Sequence, residues 1–115
     1  REILGAFLNG RLVGSVQLEL AWKPNAPHRA EVQKLLVLRS ARGQGIGRAL
    51  MDSVEAWALE LDRTLLVLDT KRGDLAESMY RKLGWTEVGV IPRFCRSAAG
   101  EFEDTVVFYK ELTRA

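Results

Sequence analysis

Residues 35–50 read Leu-Leu-Val-Leu-Arg-Ser-Ala-Arg-Gly-Gln-Gly-Ile-Gly-Arg-Ala-Leu, and the rest of the chain is organised around them. Its first four residues form an apolar run that is long enough for a buried strand. A turn follows in which every second residue is glycine: Gly43, Gly45 and Gly47. From residue 46, apolar residues recur at helical spacing as far as residue 61. The stretch therefore predicts a strand, a glycine-rich turn and a helix over residues 45–61.

The start of this helix is suited to binding an anion. A helix N-terminus presents backbone N–H groups without intrahelical partners and the positive end of the helix dipole, and such sites bind phosphate. Two flanking arginines add charge that pairs well with phosphate oxygens. The candidate site consists of seven consecutive residues: Arg42, Gly43, Gln44, Gly45, Ile46, Gly47 and Arg48. We expect them to hold a phosphate-bearing cofactor.

The glycine spacing excludes two common nucleotide loops. A P-loop needs glycine and lysine where this chain has Arg48 and Ala49. The dinucleotide fingerprint needs a final glycine where the chain has Arg48 or Leu50. What remains is Arg42-x-x-Gly45-x-Gly47. From the loop sequence alone, the alternative to an anion site is that the glycines only make a tight turn between strand and helix.

Composition narrows the class of protein. A length of 115 residues and a hydrophobic fraction of 47% fit one domain with a core. The net charge of +2 favours neither a nucleic-acid nor a membrane partner. One cysteine and one histidine make neither an intrachain disulfide nor a structural zinc site, so no metal is expected. No apolar run approaches the roughly 20 residues that cross a bilayer, and we expect a cytoplasmic protein.

Patterns outside the central stretch predict a mixed sheet. Two strands at residues 3–8 and 12–22 form a hairpin around Asn9-Gly10, and a third strand covers residues 30–38. Residues 65–68 are apolar, so strand, helix and strand form a right-handed βαβ unit with parallel strands. The three tryptophans, Trp22, Trp57 and Trp85, are expected in the core.

A second helix and an antiparallel pair complete the prediction. Asp74 and Glu77 fit a capping box, with Leu75, Met79 and Leu83 on the buried side of the helix. Strands at residues 85–91 and 105–112 flank a long loop over residues 92–104. The predicted fold class is α/β (α+β): an antiparallel hairpin, a βαβ core, then a helix and an antiparallel pair.

Two motifs resemble those of the GNAT N-acetyltransferase superfamily. One is Arg42-x-x-Gly45-x-Gly47 between a strand and a helix; the other is Ala76-x-x-x-Tyr80-x-x-Leu83-Gly84-Trp85. The resemblance implies acetyl-CoA as cosubstrate, with its pyrophosphate on residues 42–48 and its pantetheine arm along Leu36, Val37 and Leu38. It also implies the GNAT fold, a mostly antiparallel mixed sheet with a central parallel βαβ pair. The strand and helices that open this fold do not precede residue 3, so we expect residues 1–115 to be a single, N-terminally incomplete acetyl-CoA-binding domain.

A closer resemblance is to the tabtoxin resistance acetyltransferases. The matching pieces are residues 28–35 (His-Arg-Ala-Glu-Val-Gln-Lys-Leu), Leu68-Asp69-Thr70, Ala76-Glu77-x-x-Tyr80 and Pro92-x-Phe94-Cys95. This likeness implies a small-molecule amine as acceptor, such as an amino-acid-like antibiotic.

Three residues are candidates for catalysis. Transfer of acetyl to an amine needs a base for the ammonium and a proton for the leaving thiolate. Glu31, at the polar start of its strand, is a candidate base; the alternative is a solvated carboxylate. Asp69 ends the next parallel strand, and open α/β sheets bind ligands at that edge, so Asp69 is a second candidate for binding the ammonium or taking its proton. The alternative is that Asp69 caps the loop that follows. Tyr80 occupies the position of the general acid in the family that the motifs resemble, so its hydroxyl is a candidate proton donor to the thiolate. The alternative is that Tyr80 is only a core residue. Which of Glu31 and Asp69 is the base stays open.

The function predicted is acetyl-CoA-dependent N-acetylation of a small-molecule amine by direct attack in a ternary complex. A protein N-terminal or lysine acetyltransferase is an alternative with the same fold. A CoA-binding domain without turnover is an alternative from another class. Whether the chain forms a homodimer is left open.

Overall fold

The computed structural model describes residues 2–8 and 10–113 of the chain. Within these ranges lie six strands and two α-helices, in the order β1 (Glu2–Leu8), β2 (Arg11–Leu20), β3 (Arg29–Val37), α1 (Ile46–Glu60), β4 (Leu65–Lys71), α2 (Leu75–Lys82), β5 (Thr86–Arg96) and β6 (Phe102–Glu111). The strands form one sheet in the order β1-β2-β3-β4-β6-β5. The predicted mixed α/β fold is confirmed, and Asn9 of the predicted hairpin turn lies outside the described residues.

The described residues divide into two compact units. The first holds β1, β2, β3 and α1, and the second covers Val67–Lys110, with α2, β5 and most of β4 and β6. Neither helix is long and apolar enough to cross a membrane.

In the first unit, α1 packs against the antiparallel strands β1, β2 and β3. Its buried residues follow the predicted helical spacing: Leu50, Met51, Val54 and Ala58. The helix lies so close to β2 that a Cβ on Gly14 would come within 3.1 Å of Leu50 Cδ1 and 3.0 Å of the Leu36 carbonyl oxygen. Glycine at position 14 therefore permits this packing.

A bulge in β3 changes which of its side chains are buried. Gln33 is opposite Gln17 and Leu36 is opposite Ser15, so Lys34 and Leu35 together face one residue of β2. Lys34 has a φ of 52°. The extra residue reverses the alternation of faces, and Leu36 becomes 63% exposed. The prediction that residues 35–38 form a buried strand is wrong at Leu36 for this reason, and β3 ends at Val37, before the exposed Leu38.

In the second unit, α2 packs through Tyr80. The Tyr80 ring lies 5.8 Å from the Phe108 ring and 6.1 Å from the Trp85 ring, centroid to centroid. Leu75, predicted on the buried side, is 86% exposed because the buried face of this two-turn helix is centred on Tyr80. Asp74 is the N-cap of α2, but the predicted capping box is not formed. Glu77 Oε2 accepts a hydrogen bond from the N–H of Gly73 instead of that of Asp74, and the Asp74 side chain makes no capping hydrogen bond.

The loop predicted for residues 92–104 is too long at both ends, because β5 continues to Arg96 and β6 begins at Phe102, which leaves residues 97–101 as the connection. Pro92 has no N–H and interrupts the ladder, and the register shifts between Ile91 and Cys95. Within this bulge Arg93 has a φ of 52° and donates its N–H to Asp104 Oδ1 at 3.0 Å. That hydrogen bond is the largest cause that lowers the pKa of Asp104.

The tryptophan prediction holds in part. Trp85 is buried and Trp57 is half-buried, but Trp22 is 82% exposed. Trp22 follows the end of β2, where the alternation of buried and exposed faces no longer applies.

Candidate active site

The glycine loop, residues 42–48, presents a row of free backbone donors. After a 3₁₀ turn at Arg39–Ala41, Gly43 and Gly45 take left-handed φ values of 82° and 74°. The first backbone hydrogen bond of α1 runs from the Ala49 N–H to the Gly45 carbonyl at 3.0 Å. Among the described residues, the N–H groups of residues 43–48 therefore donate to no protein acceptor. Six consecutive free donors at a helix N-terminus form a site for a phosphate group.

The charged residues in and just before this loop are all arginines. Helix α1 has no acidic residue in its first turn and no side-chain cap. Arg42 and Arg48 are exposed, as is Arg39 just before the loop. None of the three forms an ion pair within the described ranges. The positive end of the helix dipole and three free guanidinium groups thus favour a ligand with several negative charges.

An apolar groove begins beside the glycine loop. Its volume is about 380 Å³, and its lining combines residues of β2 and β3 with the two that follow β3: Leu12, Val13, Gly14, Ser15, Leu36, Val37, Leu38 and Arg39. The side chains of Leu12, Leu36 and Leu38 are all exposed. The groove exists because the β3 bulge turns Leu36 to the same face as Ser15. It can hold an apolar chain next to the anion site.

Glu31 lies near the start of β3, in the first unit. It is exposed and stands opposite Glu19 of β2. The register places Gln17, Gln33, Ser15 and Leu36 on the same face of the sheet. The Leu36 side of this face lines the apolar groove, so Glu31 and the groove share one face of the unit.

Asp69 is near the end of β4, in the second unit. It is exposed, and its Oδ2 accepts a hydrogen bond from the Thr105 hydroxyl at 2.7 Å. Thr105 is on β6 and is 2% exposed. One oxygen of Asp69 is thereby tied to a buried residue while the side chain stays accessible.

Tyr80 is buried at 5% exposure, on the same unit as Asp69. Burial of the ring, with smaller contributions from Asp74 and Asp69, raises the pKa of Tyr80 to about 12. The hydroxyl is therefore protonated at neutral pH.

The structure thus groups Asp69 with Tyr80, and Glu31 with the glycine loop and the apolar groove. Sequence reasoning missed four residues of these groups: Leu12, Ser15, Arg39 and Thr105. No local motif marks Leu12, Ser15 or Thr105, which join the groups only through strand pairing. Arg39 could have been predicted as part of the anion site, since it is a third arginine next to the glycine turn. Among the described residues, no cluster of histidine, cysteine and carboxylates suits a metal ion.

Comparison with known proteins identifies the family. The sequence profile of the Acetyltransferase (GNAT) family matches residues 1–85. The chain belongs to the GNAT acetyltransferase family, as the two motifs predicted.

Individual relatives agree with this assignment. Streptothricin acetyltransferase of Escherichia coli is 29% identical over 87 residues, which are 75% of this chain and 48% of that protein. The chain thus spans about half the length of this curated relative. The ribosomal-protein-alanine N-acetyltransferase of Brucella melitensis is 26% identical, with a TM-score of 0.85 over 96% of this chain and 68% of that one. An acetyltransferase of Salmonella typhimurium, solved with its cofactor acetyl-CoA, shares the fold at 18% identity, with a TM-score of 0.86 over 98% of this chain and 65% of that one.

Proposed function

We propose that this protein is an N-acetyltransferase that moves the acetyl group of acetyl-CoA to a primary amine of a small molecule. The observation that carries the proposal is the row of six free N–H groups at the start of α1, beside an apolar groove. A pyrophosphate attached to a long, mostly apolar arm fits such a pair of features. Family membership points to the same cofactor.

In this proposal the cofactor is held by two sets of residues. Arg42, Gly43, Gln44, Gly45, Ile46, Gly47 and Arg48 bind the pyrophosphate. Leu36, Val37 and Leu38 bind the pantetheine arm, with Arg39 at the junction of the groove and the loop. Bound acetyl-CoA supplies an acetyl group that is activated as a thioester.

Glu31 and Asp69 are the candidate proton acceptors. An alkylammonium has a pKa of about 10 and must lose a proton before it can attack. Both carboxylates are exposed, so each can receive a proton directly or through one water. Asp69 has the more defined geometry, since Thr105 fixes its Oδ2.

Tyr80 is proposed to assist departure of the thiolate. A thiol has an ordinary pKa of about 8.5, so complete proton transfer from a phenol whose pKa is about 12 is uphill by about 5 kcal/mol. We therefore assign Tyr80 the role of hydrogen-bond donor to the sulfur as negative charge develops there. Such a donor stabilises the transition state without giving up its proton.

The acceptor class is proposed from the resemblance and from one relative. The matches to the tabtoxin resistance acetyltransferases and the likeness to streptothricin acetyltransferase both favour an amine of an antibiotic. The likeness to a ribosomal-protein-alanine N-acetyltransferase favours, as second candidate, the α-amine of a protein.

Release of free thiol from acetyl-CoA tests the function directly. The amines to compare are streptothricin, a tabtoxin-like amino acid, a peptide beginning with alanine and a lysine-containing peptide. Turnover of a small molecule above both peptides supports the proposal, and preference for the alanine peptide supports the second candidate. Binding of CoA without turnover of any amine would indicate a non-catalytic CoA-binding domain. Sedimentation of the same preparation measures whether the chain is a homodimer.

A further inference from the structure

The hydroxyl of Thr105 has two acceptors within reach. Asp69 Oδ2 lies at 2.7 Å and the Thr70 carbonyl oxygen at 3.0 Å. A hydroxyl has one proton and donates to one acceptor at a time. The carboxylate is the nearer and the charged acceptor, and hydrogen bonds to ionised groups are about twice as strong as neutral ones. The geometry therefore favours donation to Asp69.

Thr105 is buried in the sheet, while Asp69 is exposed. Apart from Thr105, the buried residues among those described are apolar or aromatic. Its β-branched side chain is restricted at χ1, and its backbone is paired with Ile91 of β5. Asp69 by contrast is exposed near the end of β4, where water competes for its oxygens. The hydrogen bond thus joins an exposed carboxylate to a buried, strand-paired residue of the sheet.

Only one of the two Asp69 oxygens is engaged in this way. Oδ2 accepts from Thr105, and Oδ1 has no hydrogen-bond partner in the part of the chain that the structure describes. We propose that Thr105 is a positioning residue for the reaction, holding Asp69 by Oδ2 so that Oδ1 receives the ammonium group of the acceptor. The N–H bond of the ammonium breaks, the O–H bond at Oδ1 forms, and the nitrogen keeps the lone pair. This inference rests on the proposed function.

The energetic argument is one of pre-organisation. Displacement of a base by about 1 Å from its productive position can lower the rate about a hundredfold. An exposed aspartate loses side-chain freedom when it binds an ammonium. A hydrogen bond from Thr105 restricts the Asp69 side chain before the amine binds, so less freedom is lost on binding. Removal of the Thr105 hydroxyl should therefore impair use of the amine without affecting acetyl-CoA.

The test compares Thr105→Val, which keeps the shape and removes the hydroxyl, with Thr105→Ser, which keeps the hydroxyl. Thr86→Val on the exposed part of β5 is the control. We expect kcat/KM for the best amine to fall about 10- to 100-fold in Thr105→Val and less than threefold in Thr105→Ser and Thr86→Val. The KM for acetyl-CoA should stay unchanged in all three. Equal activity of Thr105→Val and wild type, or equal loss in Thr105→Val and Thr105→Ser, would overturn the inference.

A double-mutant cycle separates positioning from a general structural effect. In an Asp69→Ala background, Thr105→Val should cause no further loss of kcat/KM, because Thr105 acts through Asp69. Additive losses would overturn the inference.

A measurement without turnover separates this inference from the proposed function. The ¹³C chemical shift of the Asp69 carboxyl group should differ between the wild type and Thr105→Val, because the variant removes the donor to Oδ2. An unchanged shift would show that the Thr105 hydroxyl donates to Thr70 instead and would overturn the inference, whatever the activity. If the wild type acetylates no amine, the proposed function is contradicted. The acetylation assay of the wild type shows this without any variant.

Discussion

At the scale of single residues, Gly45 combines two requirements. Its φ of 74° lies in the left-handed region, and no atom comes within 4 Å of the position where a Cβ would stand. The backbone thus requires glycine, and the space beside it is open. In the proposed function that space is filled by phosphate oxygens.

Gly45→Val should therefore weaken both stability and CoA binding. We expect a loss of about 1–2 kcal/mol in the free energy of unfolding, from the left-handed φ, and at least a tenfold higher Kd for CoA, measured by calorimetry. Gly100→Val is a matched control, because Gly100 has a φ of 85° and equally open space in the turn between β5 and β6. A Kd for CoA that is the same in both variants would contradict the placement of the pyrophosphate.

Tyr80→Phe should lower kcat while it preserves the fold. The phenylalanine ring retains the packing against Phe108 and Trp85, and only the hydroxyl is lost. We expect kcat to fall about 10²- to 10³-fold, the usual cost of losing one hydrogen-bond donor to a developing negative charge, with the KM for acetyl-CoA unchanged. Tyr109→Phe on β6 is the control and should retain wild-type kcat. Wild-type turnover of Tyr80→Phe would remove Tyr80 from the mechanism.

At the scale of elements, Arg63 holds the loop that leads into β3. Its Nη1 lies 3.2 Å from the carbonyl oxygens of Ala21 and Arg29 and 3.5 Å from that of Ala26. These contacts fix the segment between β2 and β3, immediately before Glu31. No local sequence pattern indicates these contacts, because the carbonyl groups involved are 34 to 42 residues away along the chain.

Arg63→Met should destabilise the protein by about 2 kcal/mol, since it removes charge-assisted hydrogen bonds from a partly buried group. The measurement is urea unfolding followed by circular dichroism. Arg11→Met, at the exposed start of β2, is the control and should change stability by less than about 0.5 kcal/mol. Equal stability of the two variants would show that water replaces the contacts of Arg63 without cost.

The elements that the sequence predicted well are those with local signals. Helix α1 was predicted within one residue at each end, because helical spacing and a glycine turn are properties of neighbouring residues. The bulge at Lys34 and the continuation of β5 past Pro92 were not predicted, because each depends on a partner strand. The hydrogen bond between Asp69 and Thr105 is of the same kind, since β6 must align with β4 to form it.

At the scale of the whole molecule, the raised pKa of Tyr80 ties stability to alkaline pH. The pKa rises from an ordinary value of 10.0 in the unfolded chain to about 12 in the folded one. The folded state therefore holds this proton more tightly. The corresponding stabilisation is complete below pH 10.0 and is lost as the pH rises through about 12.

We expect the wild type to lose about 2 kcal/mol relative to Tyr80→Phe between about pH 9 and about pH 12. The difference between the two free energies of unfolding isolates Tyr80, because every other titrating group is common to both proteins. Chemical unfolding at several alkaline pH values measures it. A constant difference over this range would mean that the folded and unfolded chains release the Tyr80 proton alike.

The bulges of β5 have a consequence for association between molecules. This strand ends the sheet order and carries exposed apolar side chains such as Val88 and Phe94. A long, straight apolar strand in that place would recruit strands of other molecules and start aggregation. Two register shifts and the missing N–H of Pro92 break the row of donors into short pieces. Irregular backbone at this position thus keeps an apolar strand from acting as a template for fibres.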